Sequence, residues 1–318
     1  MSRFVILGCR GMLGRALAAE LAARGEPHVG VDLPEVDIAD PASVARLMAS
    51  ESPEVLLNAA AWTDVDGAES NPDAAARANV TGPRVLAEAA AKAGALLVQL
   101  STDYVFGGAG TEPYPEDAPP APNGVYAETK LAGEEAVCAS GARHLIVRTA
   151  WLYAPWGKNF ARTILAAARE GRELRVVDDQ RGSPTYAPDL ARAILDLIES
   201  SACGIFHAVN SGQATWYDLA AEEIGLAGLD VPLARVSTSE FPRPAPRPAY
   251  SVLSTARLEA ALGQPMRPWR EALAACVAEL AKTGEQRSDQ TVTPGQPASP
   301  RICPWLHGML GPGNGGDS

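Results

Sequence analysis

The N-terminal segment of the chain joins a short apolar run, a glycine-rich turn and an Ala/Leu-rich helix. The apolar run at residues 4–7 predicts a buried strand, and Gly8, Gly11 and Gly14 follow it at intervals of three. Strand, glycine turn and helix in this order are typical of nucleotide binding, because bare backbone lets a pyrophosphate approach a helix N-terminus. The spacing differs from the standard Gly-x-Gly-x-x-Gly fingerprint, so the three glycines alone are weak evidence.

A second predicted strand, at residues 28–31, ends at an acidic residue. Asp32 follows Gly14 by 18 residues. A carboxylate at this position accepts hydrogen bonds from the adenosine ribose of a dinucleotide. A solvated aspartate at a strand end is the alternative interpretation of Asp32.

Strands and helices alternate through the rest of the first half. Apolar runs predict strands at residues 55–57, 96–100 and 145–148, and helices are expected after Asp40, over 72–93 and from Tyr126. This βαβαβαβ order predicts an α/β fold, a Rossmann-like doubly wound parallel sheet with helices on both faces. Ligands of such sheets bind outside the carboxyl ends of the strands.

The segment from Ser101 to Lys130 carries the candidate chemistry. Thr102 ends the predicted strand at 96–100, while Tyr126 and Lys130 are four residues apart and therefore share a helix face. A nearby ammonium should lower the pKa of Tyr126 from its ordinary value near 10, so that the tyrosine exchanges a proton near neutrality. A surface Tyr-x-x-x-Lys pair is the alternative, and the hydroxyl at the strand end together with the glycine loop favours a catalytic site.

The second half of the chain predicts a smaller, mixed region. Strands are expected at 174–177 and 205–209, both returning to the main sheet, with helices over 159–170, 188–199, from Thr215 to about 224 and over 269–282. We therefore expect a dinucleotide-binding domain of residues 1–148 plus about 172–209, and a substrate lobe of about 149–171 plus 210–283. Residues 284–318, rich in Pro, Gly, Ser, Gln and Thr without periodicity, predict a disordered tail.

Composition narrows the function further. The formal net charge of -11 argues against nucleic acid and against an anionic membrane surface as partners. No apolar run approaches the roughly 20 residues of a membrane span, and the N-terminus has no secretory pattern, so a soluble cytoplasmic protein is expected. The five cysteines are scattered, with no spacing typical of a metal site or a disulfide framework.

Taken together, the motifs resemble the extended short-chain dehydrogenase/reductases and, within them, the dTDP-4-dehydrorhamnose reductases. The resemblance covers residues 4 to about 280. It rests on Gly8-x-x-Gly11-x-x-Gly14, Asn58-Ala-Ala-Ala61, Ser101-Thr-Asp-Tyr-Val-Phe106, Tyr126-x-x-x-Lys130, Arg148-Thr-Ala-Trp151, Asn159-Phe160, Asp179 to Thr185 and Arg247-Pro248.

The resemblance implies reduction of the C4 ketone of dTDP-4-dehydro-6-deoxy-L-mannose to dTDP-L-rhamnose, in nucleotide-sugar and cell-surface polysaccharide biosynthesis. Dehydratases of the superfamily have Glu after the Asp of the Thr-Asp segment, whereas Tyr104 follows Asp103 here. That difference favours simple ketone reduction. The alternatives are a reductase of another dTDP-4-keto-6-deoxysugar, and a non-catalytic regulatory subunit of the same fold, like that of methionine adenosyltransferase.

The resemblance also assigns roles to residues. Tyr126 would donate the proton to the developing alkoxide, Thr102 would hydrogen-bond the same oxygen, and Lys130 would tune Tyr126 and hold the nicotinamide ribose. The implied cofactor contacts are Gly8, Arg10, Gly11, Met12, Leu13, Gly14, Asp32, Asp37, Ile38, Ala59, Ala60, Ala61, Trp62, Thr63, Leu100, Tyr126 and Lys130. The implied substrate contacts are Val65, Thr102, Asp103, Trp151, Asn159 and Arg247.

Two of the substrate contacts have other interpretations. Arg247 is a candidate diphosphate clamp, because a guanidinium matches phosphate bidentately, and an exposed loop arginine is its alternative. Trp151 would face the sugar or the base, and a core or lobe-interface tryptophan is its alternative.

Cofactor choice and assembly follow from single residues. Asp32 favours NADH, whereas Arg10 could neutralise the 2′-phosphate of NADPH, so dual use with NADPH favoured is expected. Some family members are described as dimers bridged by magnesium through glutamates, one of them early in the first helix. Residues 14–17 offer no carboxylate. We therefore expect no structural metal, and a homodimer stays open.

Overall fold

The first half of the chain alternates strands and helices, as predicted. The structure is a computed structural model that describes residues 3–288. Its strands here are Phe4–Leu7 (β1), His28–Val31 (β2), Val55–Asn58 (β3), Leu96–Thr102 (β4) and His144–Thr149 (β5). The helices are Met12–Ala23 (α1), Pro41–Glu51 (α2), Val65–Ser70 (α3), Pro72–Ala76 (α4), Gly82–Ala93 (α5) and Val125–Ala139 (α6).

The second half contains shorter strands between helices. The strands are Leu152–Tyr153 (β6), Leu174–Val177 (β7), Arg181–Gly182 (β8), Thr185–Tyr186 (β9), Gly204–His207 (β10), Ala214–Thr215 (β11) and Leu233–Val236 (β12). The helices are Phe160–Arg169 (α7), Ala187–Glu199 (α8), Trp216–Leu226 (α9), Ala256–Leu262 (α10) and Trp269–Ser288 (α11).

A six-stranded parallel sheet forms the centre of the molecule, in the order β2-β1-β3-β4-β5-β10. The predicted doubly wound fold is therefore confirmed. The chain runs from β1 to one side as β2 and to the other side as β3, so the order reverses beside β1. A crevice opens at such a reversal, outside the carboxyl ends of the strands, and this is where doubly wound sheets bind their ligands.

Alternate side chains of the central strands bury into two separate cores. In β1, Phe4 and Ile6 pack with α1 and α8, while Val5 and Leu7 pack with α2 and α5 on the opposite face. Full burial of each such side chain stabilises the fold by about 1.5–3 kcal/mol. Both faces are covered, which accounts for the continuous apolar runs of these strands.

One strand prediction is wrong. Leu174–Val177 does not return to the main sheet but pairs in parallel with Leu233–Val236 in a separate two-stranded sheet. The predicted strand at 205–209 does join the main sheet, as β10, next to β5. Two further small sheets, β6 with β9 and β8 with β11, belong to the same mixed region.

The predicted helix over 72–93 is interrupted by a π-helical segment, Arg77–Thr81. Such segments are frequent at functional sites. Asn79 within it is buried. At Gly133 of α6, an added Cβ would lie 2.1 Å from the Asn79 carbonyl oxygen, so the glycine permits close approach of α6 to this segment. The π-helical segment thus helps to place the helix that carries Tyr126 and Lys130.

The C-terminal helix ends later than predicted. Helix α11 continues to Ser288, whereas a disordered tail was expected from residue 284. The rest of the predicted tail, residues 289–318, lies outside the described residues. Between residues 3 and 288, no helix is both long and apolar enough to cross a membrane.

Candidate active site

The three predicted catalytic residues lie together at the carboxyl end of β4. Thr102 is the last residue of that strand, and its hydroxyl hydrogen-bonds with the hydroxyl of Tyr126 in the first turn of α6. One turn later, Lys130 donates from Nζ to the carbonyl oxygen of Leu100 at 2.6 Å. The side chain of Tyr126 is half-buried, while Thr102 and Lys130 are buried.

The protonation of this group differs from the expectation. Burial raises the pKa of Tyr126 to about 12, against a lowering by its hydrogen bond with Thr102. The expected lowering of the Tyr126 pKa by Lys130 is therefore wrong for this protein. Burial also lowers the pKa of Lys130 to about 8, and the charge of Glu134 opposes that shift. At neutral pH, Tyr126 is consequently a protonated hydroxyl that can donate, beside a largely charged Lys130.

Asp103 adds a buried carboxyl group next to Thr102. Thr102 donates from Oγ1 to Asp103 Oδ1 at 3.1 Å, and the amide of Tyr104 donates to Thr102 Oγ1 at 3.2 Å. Burial raises the pKa of Asp103 to about 6, although hydrogen bonds with Ser251 and Thr102 lower it. The second oxygen of Asp103 is buried and has no hydrogen-bond partner among residues 3–288. It is a polar atom suited to a ligand hydroxyl.

The glycine loop leaves backbone room next to the end of β3. Gly8 has φ +76°, and an added Cβ there would lie 2.7 Å from the amide nitrogen of Ala60. A Cβ at Gly14 would lie 2.1 Å from the carbonyl oxygen of Gly8. Helix α1 begins after Gly11 with no side-chain cap, which leaves its first amides to bind an anion. Arg10, Met12 and Leu13 lie in this loop and first turn, as predicted, so the segment fits a dinucleotide pyrophosphate.

Asp32 contacts this glycine loop from the end of β2. Its carboxylate accepts from the amides of Arg10 at 3.0 Å and Leu33 at 2.9 Å. The side chain of Arg10 pairs with Glu35 at 2.6 Å and donates to the carbonyl of Leu33 at 2.9 Å. Arg10 and Asp32 are thus adjacent, and Glu35 is the ionic partner of the arginine.

The other predicted cofactor contacts lie along the same edge of the sheet. Asp37 pairs with Arg77 of the π-helical segment, and Ile38 packs against Gly82. Asn79 accepts from the amide of Trp62 at 2.9 Å, so the π-helical segment holds the segment after β3. The remaining predicted contacts near the carboxyl ends of β3 and β4 are Ala59, Ala60, Ala61, Thr63 and Leu100.

The predicted substrate residues Val65 and Arg247 both lie at the start of α3, Arg247 through an ion pair with the next residue, Asp66. Val65 is buried at the start of α3. Arg247, in the Pro-rich loop at 241–248, pairs with Asp66 at 2.9 Å and donates to the carbonyl of Ala245 at 3.0 Å. Arg247 also lines a cavity of about 20 Å³ together with Tyr104, Phe106, Gly107, Asn123, Pro246 and Pro248. The Asp66 pair brings the loop onto the helix that follows β3.

Trp151 and Asn159 are engaged in packing and capping. The Trp151 indole stacks on Trp216 with ring centres 3.6 Å apart, and its backbone has φ 45°. Asn159 caps α7 by accepting from the amide of Arg162, and donates to the carbonyl of Ala154 at 2.8 Å. These contacts explain why both residues are fixed. Their roles as substrate contacts stay predictions.

Comparison with known proteins places this geometry in a family. A family model described as the RmlD substrate binding domain matches residues 2–282. The chain belongs to the RmlD substrate binding domain family. It is 45% identical over 278 residues to a dTDP-4-dehydrorhamnose reductase of Streptomyces griseus, covering 85% of this chain and 91% of the relative.

Two further relatives of the RmlD-family chain bear on cofactor and substrate. A crystal structure of dTDP-4-dehydrorhamnose reductase from Bacillus anthracis in complex with NADP superposes with a TM-score of 0.85 at 37% identity, covering 87% of this chain and 99% of that one. A probable dTDP-4,6-dihydroxy-2-methyloxan-3-one 4-ketoreductase of Streptomyces antibioticus is 43% identical over 276 residues, covering 85% and 93%.

Several residues of this RmlD-family site were missed by sequence reasoning. Asn79 donates to the carbonyl of Trp62 and to Thr129 Oγ1, both at 3.2 Å, and so links the segment after β3 to α6. Trp156 donates from its indole to the carbonyl of Met12 at 3.0 Å, fixing the second half of the chain to the first turn of α1. The one signal in the sequence for Asn79 is its position as a polar residue inside the Ala-rich pattern predicted as a helix over 72–93.

Proposed function

We propose that this protein reduces the C4 ketone of dTDP-4-dehydrorhamnose to dTDP-L-rhamnose with NADPH, as a step in nucleotide-sugar and polysaccharide biosynthesis. The observation that carries the proposal is the placement of Thr102, Tyr126 and Lys130 around one point at the end of β4. That point lies at the carboxyl edge of the sheet, the edge at which doubly wound sheets bind their ligands. Family membership and the similarity to named reductases support it.

In the proposed mechanism, Tyr126 is the general acid. The Tyr126 hydroxyl, with its pKa near 12, is protonated at neutral pH and donates to the alkoxide as charge develops on the ketone oxygen. Thr102, whose hydroxyl donates to Asp103 in the free protein, would turn this hydrogen to the same oxygen when the ketone is bound. Since the charge on that oxygen exists only in the transition state and beyond, these interactions raise kcat more than they improve binding.

Lys130 has two proposed tasks. Its hydrogen bond to the Leu100 carbonyl ties α6, and with it Tyr126, to the end of β4. The same ammonium would hold the nicotinamide ribose. When bound, the nicotinamide supplies the hydride that the ketone carbon receives.

NADPH is the proposed cofactor, with NADH as a second one. The residues proposed to hold it are the glycine loop with α1, whose uncapped amides fit the pyrophosphate, and Asp32 with Arg10 at the adenosine ribose. Asp32 already accepts two backbone amides, which keeps its carboxylate in place to accept from a ribose hydroxyl. The NADP complex of the Bacillus anthracis relative supports NADPH.

The deciding experiment follows NADPH absorbance on addition of dTDP-4-dehydrorhamnose to the purified protein, with product identification by mass spectrometry and NMR. A second ketone, dTDP-4-keto-6-deoxy-D-glucose, tests the alternative that the similarity to the Streptomyces antibioticus ketoreductase raises, reduction of another dTDP-4-keto sugar. If neither ketone causes oxidation of NADPH, the reductase proposal is wrong. Binding without turnover would favour the regulatory-subunit alternative.

The setting of the reaction is also proposed. We place it in the cytoplasm, since the cysteines in the described part of the chain are free thiols, as in a reducing compartment. The proposed division is a dinucleotide domain of residues 1–148 plus about 172–209 and a substrate lobe of about 149–171 plus 210–283, except that Leu174–Val177 pairs with Leu233–Val236 and so goes with the lobe. Limited proteolysis with and without NADPH tests that division, and sedimentation analysis tests whether the protein is a homodimer.

A further inference from the structure

A buried ion pair lies behind the proposed catalytic residues. Arg148 contacts both oxygens of Glu134, at 2.7 Å from Nη2 and at 3.0 Å from Nε, and each side chain is only 3% exposed. Arg148 also donates to the main-chain carbonyl of Glu116 at 3.2 Å and lies 5.2 Å from the centre of the Phe106 ring. These contacts hold the Glu134 carboxylate in one position.

The position of this pair relative to the site follows from register. Tyr126, Lys130 and Glu134 succeed one another at intervals of four along α6, so they share one helix face. Arg148 in β5 is aligned with Ser101 of β4, directly before Thr102. The pair therefore joins the helix that carries two of the catalytic residues to the strand beside the third.

The charge of Lys130 needs a carboxylate nearby. Its side chain is buried and its Nζ donates to a neutral carbonyl, and a buried ammonium is unfavourable unless it is paired. Glu134 is the carboxylate whose charge raises the pKa of Lys130 against the effect of burial. The elements packed against α6 carry two other carboxylates near the site: Glu69, which accepts from the amide of Val125, and Asp103, beside Thr102. The remaining charged residues of these elements are exposed: Asp73, Arg77, Arg84, Glu88 and Lys92.

We infer that Glu134 is a positioning residue whose carboxylate, fixed by Arg148, keeps the Lys130 ammonium charged and directed at the Leu100 carbonyl. The inference rests on the proposed role of Lys130. The ion pair requires a carboxylate at this position, because loss of either partner would leave the other charge buried and alone. The ion pair then serves the reaction as well as the fold.

The test measures kcat/KM from pH 6 to 10 for the wild-type enzyme and for Glu134→Gln, Glu134→Asp and Lys130→Met. The pH dependence of NADPH binding, followed by fluorescence, is a second measurement that needs no sugar substrate. The wild type should lose kcat/KM and NADPH affinity above about pH 8, where Lys130 loses its charge. In Glu134→Gln this loss should begin about one pH unit lower, and Glu134→Asp should restore the wild-type profile.

Two more variants separate positioning from folding. The neutral double variant Glu134→Gln/Arg148→Gln avoids an unpaired buried charge and should show the same shift to lower pH. Asp189→Asn is the matched control, because Asp189 is also a buried carboxylate in an ion pair, 2.6 Å from Arg267, but lies on α8. Asp189→Asn should not shift the pH profile of kcat/KM.

The outcomes distinguish the inference from the proposed function. If folded Glu134→Gln/Arg148→Gln keeps the wild-type profile while Lys130→Met abolishes the loss above pH 8, the positioning role of Glu134 is wrong and the role of Lys130 stands. If Lys130→Met still loses kcat/KM above pH 8, the positioning role of Glu134 and the role of Lys130 are both wrong. Failure of the wild type to reduce any sugar, with the shift in NADPH binding present, would instead overturn the reductase proposal alone.

Discussion

Lys130 Nζ donates a hydrogen bond to the carbonyl oxygen of Leu100, 2.6 Å away in the neighbouring strand. The bond joins α6 to β4 two residues before Thr102, so the three proposed catalytic side chains are fixed by one strand and one helix. Sites built on rigid elements in this way hold their geometry better than sites on loops. The effects of substitutions in this group should therefore be chemical more than structural.

Tyr126→Phe should reduce kcat by about 10²–10⁴-fold, because the change removes the proton donor and keeps the ring. KM should change little, since proton donation acts in the transition state. Steady-state kinetics with circular dichroism as a folding check is the measurement. A folded variant that keeps more than about a tenth of wild-type kcat, with chemistry limiting turnover, would require another acid.

Thr102→Val should cost less than Tyr126→Phe, at most about 2–4 kcal/mol of transition-state stabilisation, if Thr102 supplies one donor to the ketone oxygen. Removing its hydroxyl also removes the hydrogen bond that lowers the pKa of Tyr126, so the tyrosine becomes a weaker acid. Both effects reduce kcat, which presteady-state measurement of the hydride step can isolate. Thr102→Ser, which keeps the hydroxyl, is the matched control and should stay within a few-fold of the wild type. An effect as large in Thr102→Ser would assign the residue to packing.

Cofactor choice should depend on Arg10. Arg10→Ala is expected to lower kcat/KM for NADPH roughly tenfold and to leave NADH nearly unchanged, because only the 2′-phosphate needs the guanidinium. The wild type should use both cofactors within about a hundredfold, near 3 kcal/mol. Glu35→Gln is an informative companion: it releases Arg10 from its 2.6 Å pair and should favour NADPH further. Equal losses of kcat/KM for NADPH and NADH in Arg10→Ala would contradict the assignment of Arg10 to the 2′-phosphate.

Local patterns were sufficient for much of the site. Tyr126 and Lys130 could be placed together from the sequence because a separation of four residues fixes their neighbourhood on any helix. The glycine loop was equally local. The raised pKa of Tyr126 was not predictable, since it arises from burial in the folded structure.

Pairings between distant segments account for the main errors. Leu174–Val177 has the apolar composition of a main-sheet strand, and nothing in those four residues identifies Leu233–Val236 as its partner. The same limit hid the contact of Glu134 with Arg148, which joins a helix face to a strand end. In each case the missing information is a tertiary contact, which composition and periodicity do not encode.

The Trp151–Trp216 stack should matter for the sugar nucleotide if Trp151 faces it. Trp216→Ala removes the ring that supports Trp151 at 3.6 Å, so KM for the dTDP-sugar should rise about tenfold with KM for NADPH unchanged. Trp216→Phe keeps an aromatic face and serves as the control. Equal changes in both KM values would indicate a general loosening of this region.

The last prediction concerns Glu223, a carboxyl group with no proposed part in the reaction. It is fully buried in α9, and in the part of the chain that the structure describes neither of its side-chain oxygens has a hydrogen-bond partner. Burial raises its pKa well above the ordinary value, against a small lowering by Arg169. In the folded protein Glu223 is therefore neutral at pH values where it is ionised in the unfolded chain.

The sign of the stability effect follows from proton binding. Between the unfolded pKa near 4.3 and the raised folded pKa, the native state holds one proton more than the unfolded state, so the wild type loses up to about 1.4 kcal/mol of stability per pH unit as pH rises. Glu223→Gln cannot ionise and escapes this loss. The free energy of unfolding of Glu223→Gln minus that of the wild type, measured with urea at pH 5, 6, 7 and 8, should therefore rise with pH. Burial of the amide adds to this difference a constant that does not depend on pH. Glu222→Gln, on the same helix at a half-buried site paired with Arg270, is the matched control for replacing a glutamate of α9 by glutamine. A constant difference between Glu223→Gln and the wild type from pH 5 to 8 would mean that Glu223 ionises alike in both states.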